Sequence, residues 1–181
     1  MKVILGTNNS HKLIEFRQIF KENNIDIELI PLNELPLKVD EPVENGKTFL
    51  ENAIIKAKYY YECYGMPVIT DDSGICVDAL GGLPGIYSAR YASKDGINSS
   101  SLENRRKLLF ELGNETNRKA HFSCCVVFYD KGEVITGYGE FHGVIGEEER
   151  GNNGFGYDPI FFIQSKNCYY IYYTAFFVKS Q

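Results

Sequence analysis

Several patterns that mark common classes of protein are missing from this sequence. Its 181 residues contain no run of the ~20 apolar residues that a membrane-spanning helix needs. The apolar run at the start, Lys2–Leu5, is too short for a signal peptide. The formal net charge is −5, whereas proteins that bind long nucleic acids usually carry a basic face. We therefore expect a cytoplasmic protein with neither a membrane nor a nucleic-acid partner.

The cysteines and histidines lack the spacing of a zinc site. The five cysteines form no C-x-x-C pair, and the three histidines form no H-E-x-x-H motif. Adjacent Cys124 and Cys125 would point to opposite faces of a strand, which makes them a poor zinc pair. An odd number of scattered cysteines indicates free thiols in a reducing compartment.

Apolar periodicity predicts a mixed α/β sheet within one domain spanning residues 1–164. Helices are expected after Asn9 or Ser10, and after the capping boxes that begin at Thr48 and Ser100. Strands are expected at residues 2–5, 25–30, 66–70, 120–129, 133–145 and 160–163. The segment Asp71–Gly74 is predicted to be a turn that ends the third strand.

Two segments could contact phosphate. Thr7, Asn8 and Asn9 lie between the first strand and the first helix, where free backbone N–H groups and the helix dipole attract anions, and Lys12 adds positive charge. The segment is not a Walker A loop, and taken alone it is more often an ordinary helix cap with a solvated lysine. Arg90 follows a Gly/Pro-rich loop and could bind an oxyanion or form an ordinary salt bridge.

Acidic residues in two segments suit a hard cation. Asp71 and Asp72 follow a predicted strand, and carboxylates together with substrate phosphates are common Mg²⁺ ligands. An Asx-turn is the structural alternative. Glu44, or Glu41, could share the cation, although a solvated acidic loop is the more common explanation of such a segment. Lys56 on the second helix would face the phosphates or solvent.

A glycine-rich loop near the end could contact a nucleobase. Gly154 and Gly156 flank Phe155, so its ring could be exposed and stack on a base. Asp158 could accept a hydrogen bond from a base edge or orient a neighbour. The alternative is a tight loop with Phe155 in the core.

The order of these motifs along the chain resembles the inosine triphosphate pyrophosphatase family. The resemblance covers residues 2 to about 163. It rests on five segments: Thr7-Asn-Asn-x-x-Lys12-x-x-Glu15, Gly46-x-Thr-Phe-x-Glu-Asn-Ala53-x-x-Lys56-Ala57, Asp71-Asp-Ser-Gly74, Leu80-Gly-Gly-x-Pro-Gly85 with Ser88-Ala-Arg90, and Gly154-Phe-Gly-Tyr-Asp-Pro159.

The resemblance implies an elongated mixed sheet flanked by helices, two lobes with a central cleft, and a homodimer. It implies Mg²⁺-dependent hydrolysis of non-canonical purine nucleoside triphosphates (ITP, dITP, XTP) to the monophosphate and pyrophosphate. Glu44 and Asp72 match the metal ligands, and Asp72 also matches the catalytic base. The residues that match substrate contacts, together with Arg90 from the reading above, are Thr7, Asn8, Asn9, Lys12, Lys56, Ser73, Arg90, Phe155, Gly156, Tyr157 and Asp158.

The sequence departs from the family at its C-terminal end. Members continue with a lysine and a Ser-His-Arg segment that reads the purine, whereas this chain has neither His nor Arg after Arg150. Residues 165–181 are predicted to be an atypical aromatic-rich tail. Its apolar run is expected to pack on the body, pair with a sheet edge or drive association, and base selectivity is expected to be weak. One alternative is therefore a non-catalytic or weakly selective nucleotide-binding protein. Another is a hydrolase that uses Ser73 as nucleophile, which would need a histidine partner.

Overall fold

The structure, a computed structural model, describes residues 1–151 and 154–169. The chain divides into two compact units. The first comprises Met1–Asp72 and Cys124–Gly139, and the second comprises Ser73–Ser123 and the described residues from Glu140 onward. Each unit has its own hydrophobic clusters.

Within the described residues, a seven-stranded sheet runs in the order β2-β1-β3-β4-β5-β6-β7. β1 is parallel to both β2 and β3, whereas β6 is antiparallel to β5 and β7. The predicted mixed sheet is therefore confirmed. The strands are β1 (Lys2–Leu5), β2 (Glu28–Pro31), β3 (Val68–Val77), β4 (Lys119–Asp130), β5 (Glu133–Ile145), β6 (Phe161–Ile163) and β7 (Cys168–Tyr169).

Three α-helices begin at polar caps that the sequence predicts. The helices are α1 (Ser10–Glu22), α2 (Phe49–Tyr64) and α3 (Ser101–Leu112). Asn9 caps α1, because its side chain accepts a hydrogen bond from His11 N. Ser100 and Glu103 form a complete capping box at α3. At α2 the Thr48 side chain accepts from Glu51 N as expected, but the Glu51 carboxylate accepts from Lys47 N instead of Thr48 N.

Two predicted boundaries are wrong. The segment Asp71–Gly74 is not a turn, because β3 continues without a break to Val77. Continuation lets Ile75 and Val77 fill the core of the second unit, where both are fully buried. β2 begins at Glu28 instead of residue 25, since Ile25 N bonds back to Phe20 O and closes the end of α1.

In the first unit, successive side chains of β1 point to opposite faces of the sheet and therefore pack against different helices. Val3 and Leu5 on β1 belong to a cluster packed by Leu13, Phe16 and Phe20 of α1. Ile4, which points the other way, belongs to the cluster that includes Tyr60 of α2. The sheet therefore carries α1 on one face and α2 on the other.

The described residues end within the predicted tail. Asn167 adopts a left-handed conformation, and Cys168 and Tyr169 then pair with β6 as strand β7. Of the uncharged aromatic run, residues 169–178, only Tyr169 is described. Residues 170–178, and the prediction made for them, lie outside the described residues. No helix in the described part of the chain has the length and apolar character required to cross a bilayer.

Candidate active site

The segment between β1 and α1 is held in place by its own polar side chains. Thr7 Oγ1 accepts from Asn9 N at 3.2 Å, and Asn8 Nδ2 donates to Glu41 Oε1 at 2.7 Å. A Cβ at Gly6 would lie 2.7 Å from Thr70 Cγ2, so only glycine permits this close approach to β3. The result is an ordered strand–loop–helix connection at the N-terminus of α1.

Lys12 and Asp71 form an ion pair within the first unit. Lys12 Nζ contacts Asp71 Oδ2, and the Asp71 side chain is only 3% exposed. Burial alone would lower the pKa of Lys12, but the charge and hydrogen bond of Asp71 outweigh it, so the pKa is raised. Asp71 Oδ1 has no hydrogen-bond partner among the described residues. Sequence reasoning placed Asp71 in a turn and missed this pairing.

A second cluster joins Glu44, Lys56 and Asp72. Lys56 Nζ lies 3.1 Å from Glu44 Oε1 and 3.2 Å from Asp72 Oδ1. The lysine therefore holds both carboxylates within reach of one atom, whereas the competing carboxylate, Glu41, is bonded to Asn8 instead. The interpretation of Lys56 as a solvated surface lysine is wrong, because its side chain is only 12% exposed.

Asn52 completes this cluster, and sequence reasoning did not single it out. Asn52 is fully buried on α2. Its Nδ2 donates to Asp72 Oδ2 at 3.1 Å, and its Oδ1 accepts from Gly46 N at 2.8 Å. The i,i+4 spacing from Asn52 to Lys56 puts both residues on one face of the helix, a signal that the sequence did contain.

The chemistry of this cluster fits a hard divalent cation. Burial raises the pKa of Asp72; the positive charge of Lys56 opposes this rise, and the negative charge of Glu44 adds to it. A cation would offset the excess negative charge. No group of three or more potential metal-ligating side chains occurs in the described part of the chain. Glu44 and Asp72 could supply two oxygen ligands to such a cation and leave its other positions to water or substrate.

In the second unit, the loop after Gly151 positions an aromatic ring. Phe155 is 37% exposed, as the interpretation of an exposed ring requires. Asp158 is buried, and its Oδ2 accepts from Phe155 N at 2.8 Å. Tyr157 is buried, and its hydroxyl donates to Ser88 O at 2.8 Å. Gly156 adopts a φ of 55°, in the left-handed region that favours glycine.

Two other predicted residues also belong to the second unit. The Arg90 guanidinium lies 5.4 Å from the centroid of the Tyr87 ring, a cation–π arrangement. Ser73 is half-buried on β3. Within residues 1–151 and 154–169, no hydrogen bond joins Ser73 to a histidine, so the pair required for a serine nucleophile is not formed there.

A mixed α/β sheet with clusters of part-buried acidic and basic side chains is an arrangement that many α/β enzymes share. The chain belongs to the Ham1 family, whose model matches residues 3–172. The family resemblance read from the five motifs is thereby confirmed.

Individual proteins resemble this chain over most of its length. It is 42% identical over 173 residues to a dITP/XTP pyrophosphatase of Haemophilus influenzae, covering 92% of this chain and 85% of that protein. Among solved structures, a HAM1 protein from Coxiella burnetii matches with a TM-score of 0.83 and 35% identity, covering 94% of this chain and 86% of the other. The Ham1 protein of Staphylococcus aureus matches with a TM-score of 0.80 and 38% identity, covering 94% and 85%.

Proposed function

We propose that this chain is a pyrophosphatase that hydrolyses non-canonical purine nucleoside triphosphates, such as dITP, ITP and XTP, to the monophosphate and pyrophosphate. The observation that carries the proposal is the cluster in which Lys56 holds the carboxylates of Glu44 and Asp72 beside buried Asn52. The relatives named dITP/XTP pyrophosphatases support the substrate class. They also make the non-catalytic alternative less favoured.

In this proposal the first unit binds the triphosphate. Thr7, Asn8 and Asn9 present polar groups at the N-terminus of α1, whose dipole favours phosphate. Lys12 and Lys56 add positive charge. Each already has a carboxylate partner, so neither charge is buried uncompensated before substrate arrives.

Glu44 and Asp72 would hold Mg²⁺, with Glu44 favoured over Glu41 because of its position at Lys56. When bound, the ion supplies charge neutralisation for the phosphates and acidifies a water molecule. Asp72 would orient the attacking water molecule and accept its proton as the water oxygen attacks the α-phosphorus. The bond from the α-phosphorus to the bridging oxygen breaks, and pyrophosphate leaves.

The second unit would contribute to recognition of the substrate. The exposed ring of Phe155 offers a face on which a purine could stack. Asp158 and Tyr157 are occupied in holding the loop, through Phe155 N and Ser88 O. We assign them to loop geometry, and Ser73 and Arg90 to contacts with the substrate. We also propose that the protein acts as a homodimer in the cytoplasm.

The test is a panel of ITP, dITP, XTP, GTP and ATP, assayed with and without Mg²⁺. Substrate labelled at the γ-phosphate should release its label as pyrophosphate, and only when Mg²⁺ is present. Orthophosphate as the first labelled product would indicate a phosphatase and reject the proposal. Size-exclusion chromatography with light scattering tests the dimer.

A further inference from the structure

Arg105 reaches from α3 to the loop that carries Phe155. Its Nη1 donates to Gly156 O at 2.7 Å, and its Nη2 lies 2.8 Å from Glu149 Oε2. The side chain is only 12% exposed. Its Nε is buried and has no hydrogen-bond partner among the described residues. The hydrogen bonds made by this guanidinium are therefore directed to Glu149 and Gly156.

The bond from Arg105 fixes the peptide that follows the exposed ring. Gly156 directly follows Phe155 and has a left-handed φ of 55°. The loop is closed locally, because Asp158 Oδ2 accepts from Phe155 N and Asp158 N donates to Phe155 O. Arg105 bonds this small closed loop to α3. The position of the Phe155 ring therefore depends on the position of this helix.

The charge of Arg105 indicates a role in positioning. Glu149 already neutralises the guanidinium, which it contacts at Nη2. The other terminal nitrogen, Nη1, donates to the carbonyl of Gly156. A residue that binds phosphate would need to direct its charge and donors towards the ligand. Arg105 directs them into the protein, which is the arrangement expected of a group that holds a backbone in place.

We infer that Arg105 is a positioning residue that sets the Phe155 loop and thereby supports binding of the purine base. This inference rests on the proposed function, in which the Phe155 ring stacks on the base. Without the bond to Gly156 O, the loop can sample other conformations. Binding then costs the free energy of ordering the loop, while the phosphate-binding residues of the first unit are unchanged.

The test compares Arg105→Gln with Arg106→Gln, which removes the same charge from the neighbouring exposed position on α3. For Arg105→Gln we expect the KM for ITP to rise about tenfold, with kcat within about twofold of wild type. The KM for GTP should rise by a similar factor, because stacking on an aromatic ring does not distinguish the two bases. Arg106→Gln should match wild type in both quantities.

Two further variants keep the test decisive if Arg105→Gln folds poorly. Arg105→Lys retains the charge near Glu149 but cannot make both contacts, so it should show an intermediate KM. Glu149→Gln leaves the bond to Gly156 O in place and should change KM less than Arg105→Gln. An unchanged KM for ITP in folded Arg105→Gln or Arg105→Lys would overturn the inference.

Equilibrium binding separates this inference from the proposed function. Wild-type protein that binds ITP but releases no pyrophosphate would reject the proposed function, and the affinities of the Arg105 variants for ITP would still report on the loop. Normal turnover in wild type with unchanged Arg105 variants would reject only the inference. Wild-type protein that neither binds nor hydrolyses ITP would reject both.

Discussion

Asn52 Nδ2 donates a hydrogen bond to Asp72 Oδ2 at 3.1 Å, which joins the first turn of α2 to the middle of β3. The same side chain accepts from Gly46 N, two residues after Glu44. One buried amide therefore orients both segments that carry the proposed metal ligands. Asp72 is held by Asn52 on one oxygen and by Lys56 on the other. The orientation of the Asp72 carboxylate is consequently fixed before any substrate binds.

Removing the Asn52 amide should destabilise the fold. In Asn52→Ala the part-buried Gly46 N and Asp72 Oδ2 each lose a partner, at about 1–3 kcal/mol for each group left unsatisfied. We expect the free energy of unfolding, measured by urea denaturation, to fall by about 2–4 kcal/mol, in the lower part of the summed range, because both groups keep some access to water. Asn33→Ala, at an exposed position, is the control and should change stability little. Equal stability of both variants would contradict the role of Asn52.

Replacing Asp72 by Asn should remove turnover much more than binding. The amide keeps the shape but cannot accept a proton, and loss of a general base costs about a hundred- to ten-thousand-fold in rate. We expect kcat for ITP to fall by this factor, while nucleotide affinity changes less. The control, Asp26→Asn, changes an exposed carboxylate away from the cluster. Near-normal turnover of Asp72→Asn at saturating Mg²⁺ would reject the assignment.

Glu44 and Glu41 should differ in their effect on Mg²⁺ binding. Glu44→Gln removes a carboxylate held beside Asp72, whereas Glu41→Gln leaves an oxygen that can still accept from Asn8. Mg²⁺ at ten times its Kd should stabilise wild type by about 1.4 kcal/mol. Glu41→Gln should keep this stabilisation, measured as a shift in Tm, and Glu44→Gln should lose it. The opposite pattern would make Glu41 the ligand.

The pair formed by Lys12 and Asp71 should show strong coupling. Lys12→Met leaves Asp71 as a buried uncompensated charge, at about 3–5 kcal/mol. Asp71→Asn leaves the lysine without its counter-charge. The double variant removes both charges, so its loss of stability should be smaller than the sum of the single losses by about 0.5–3 kcal/mol. The measurement is a double-mutant cycle in which each free energy of unfolding comes from urea denaturation. If the losses of the two single variants add up to that of the double variant, the ion pair contributes nothing to stability.

Much of the architecture was predictable because its determinants are local. Helix starts at Thr48 and Ser100 depend on a side chain bonding to a backbone group three residues away, so a short segment contains the whole interaction. The hairpin of β4 and β5 follows from two alternating runs around Lys131 and Gly132, both with positive φ. The family could also be predicted, because the order of the five motifs along the chain can be read without any knowledge of which residues meet in space.

The extent of β3 was not predictable in the same way. Asp71-Asp72-Ser73-Gly74 has the composition of a turn, and local propensity favours one. The structure instead extends the strand, because burial of Ile75 and Val77 in the second unit outweighs that propensity. The polar residues are accommodated by pairing with Lys12 and Lys56, which no local pattern could indicate.

The sequence by itself determined the helix caps, the alternation of the strands and the residue types available for chemistry, because these depend on neighbours a few positions apart. Only the tertiary structure decided which of those residues meet. Asn52 and Asp72 are 20 residues apart, Arg105 and Gly156 are 51 apart, and Lys12 and Asp71 are 59 apart. Such pairs form when packing of helices on the sheet removes water from them, and burial makes each charge require its partner.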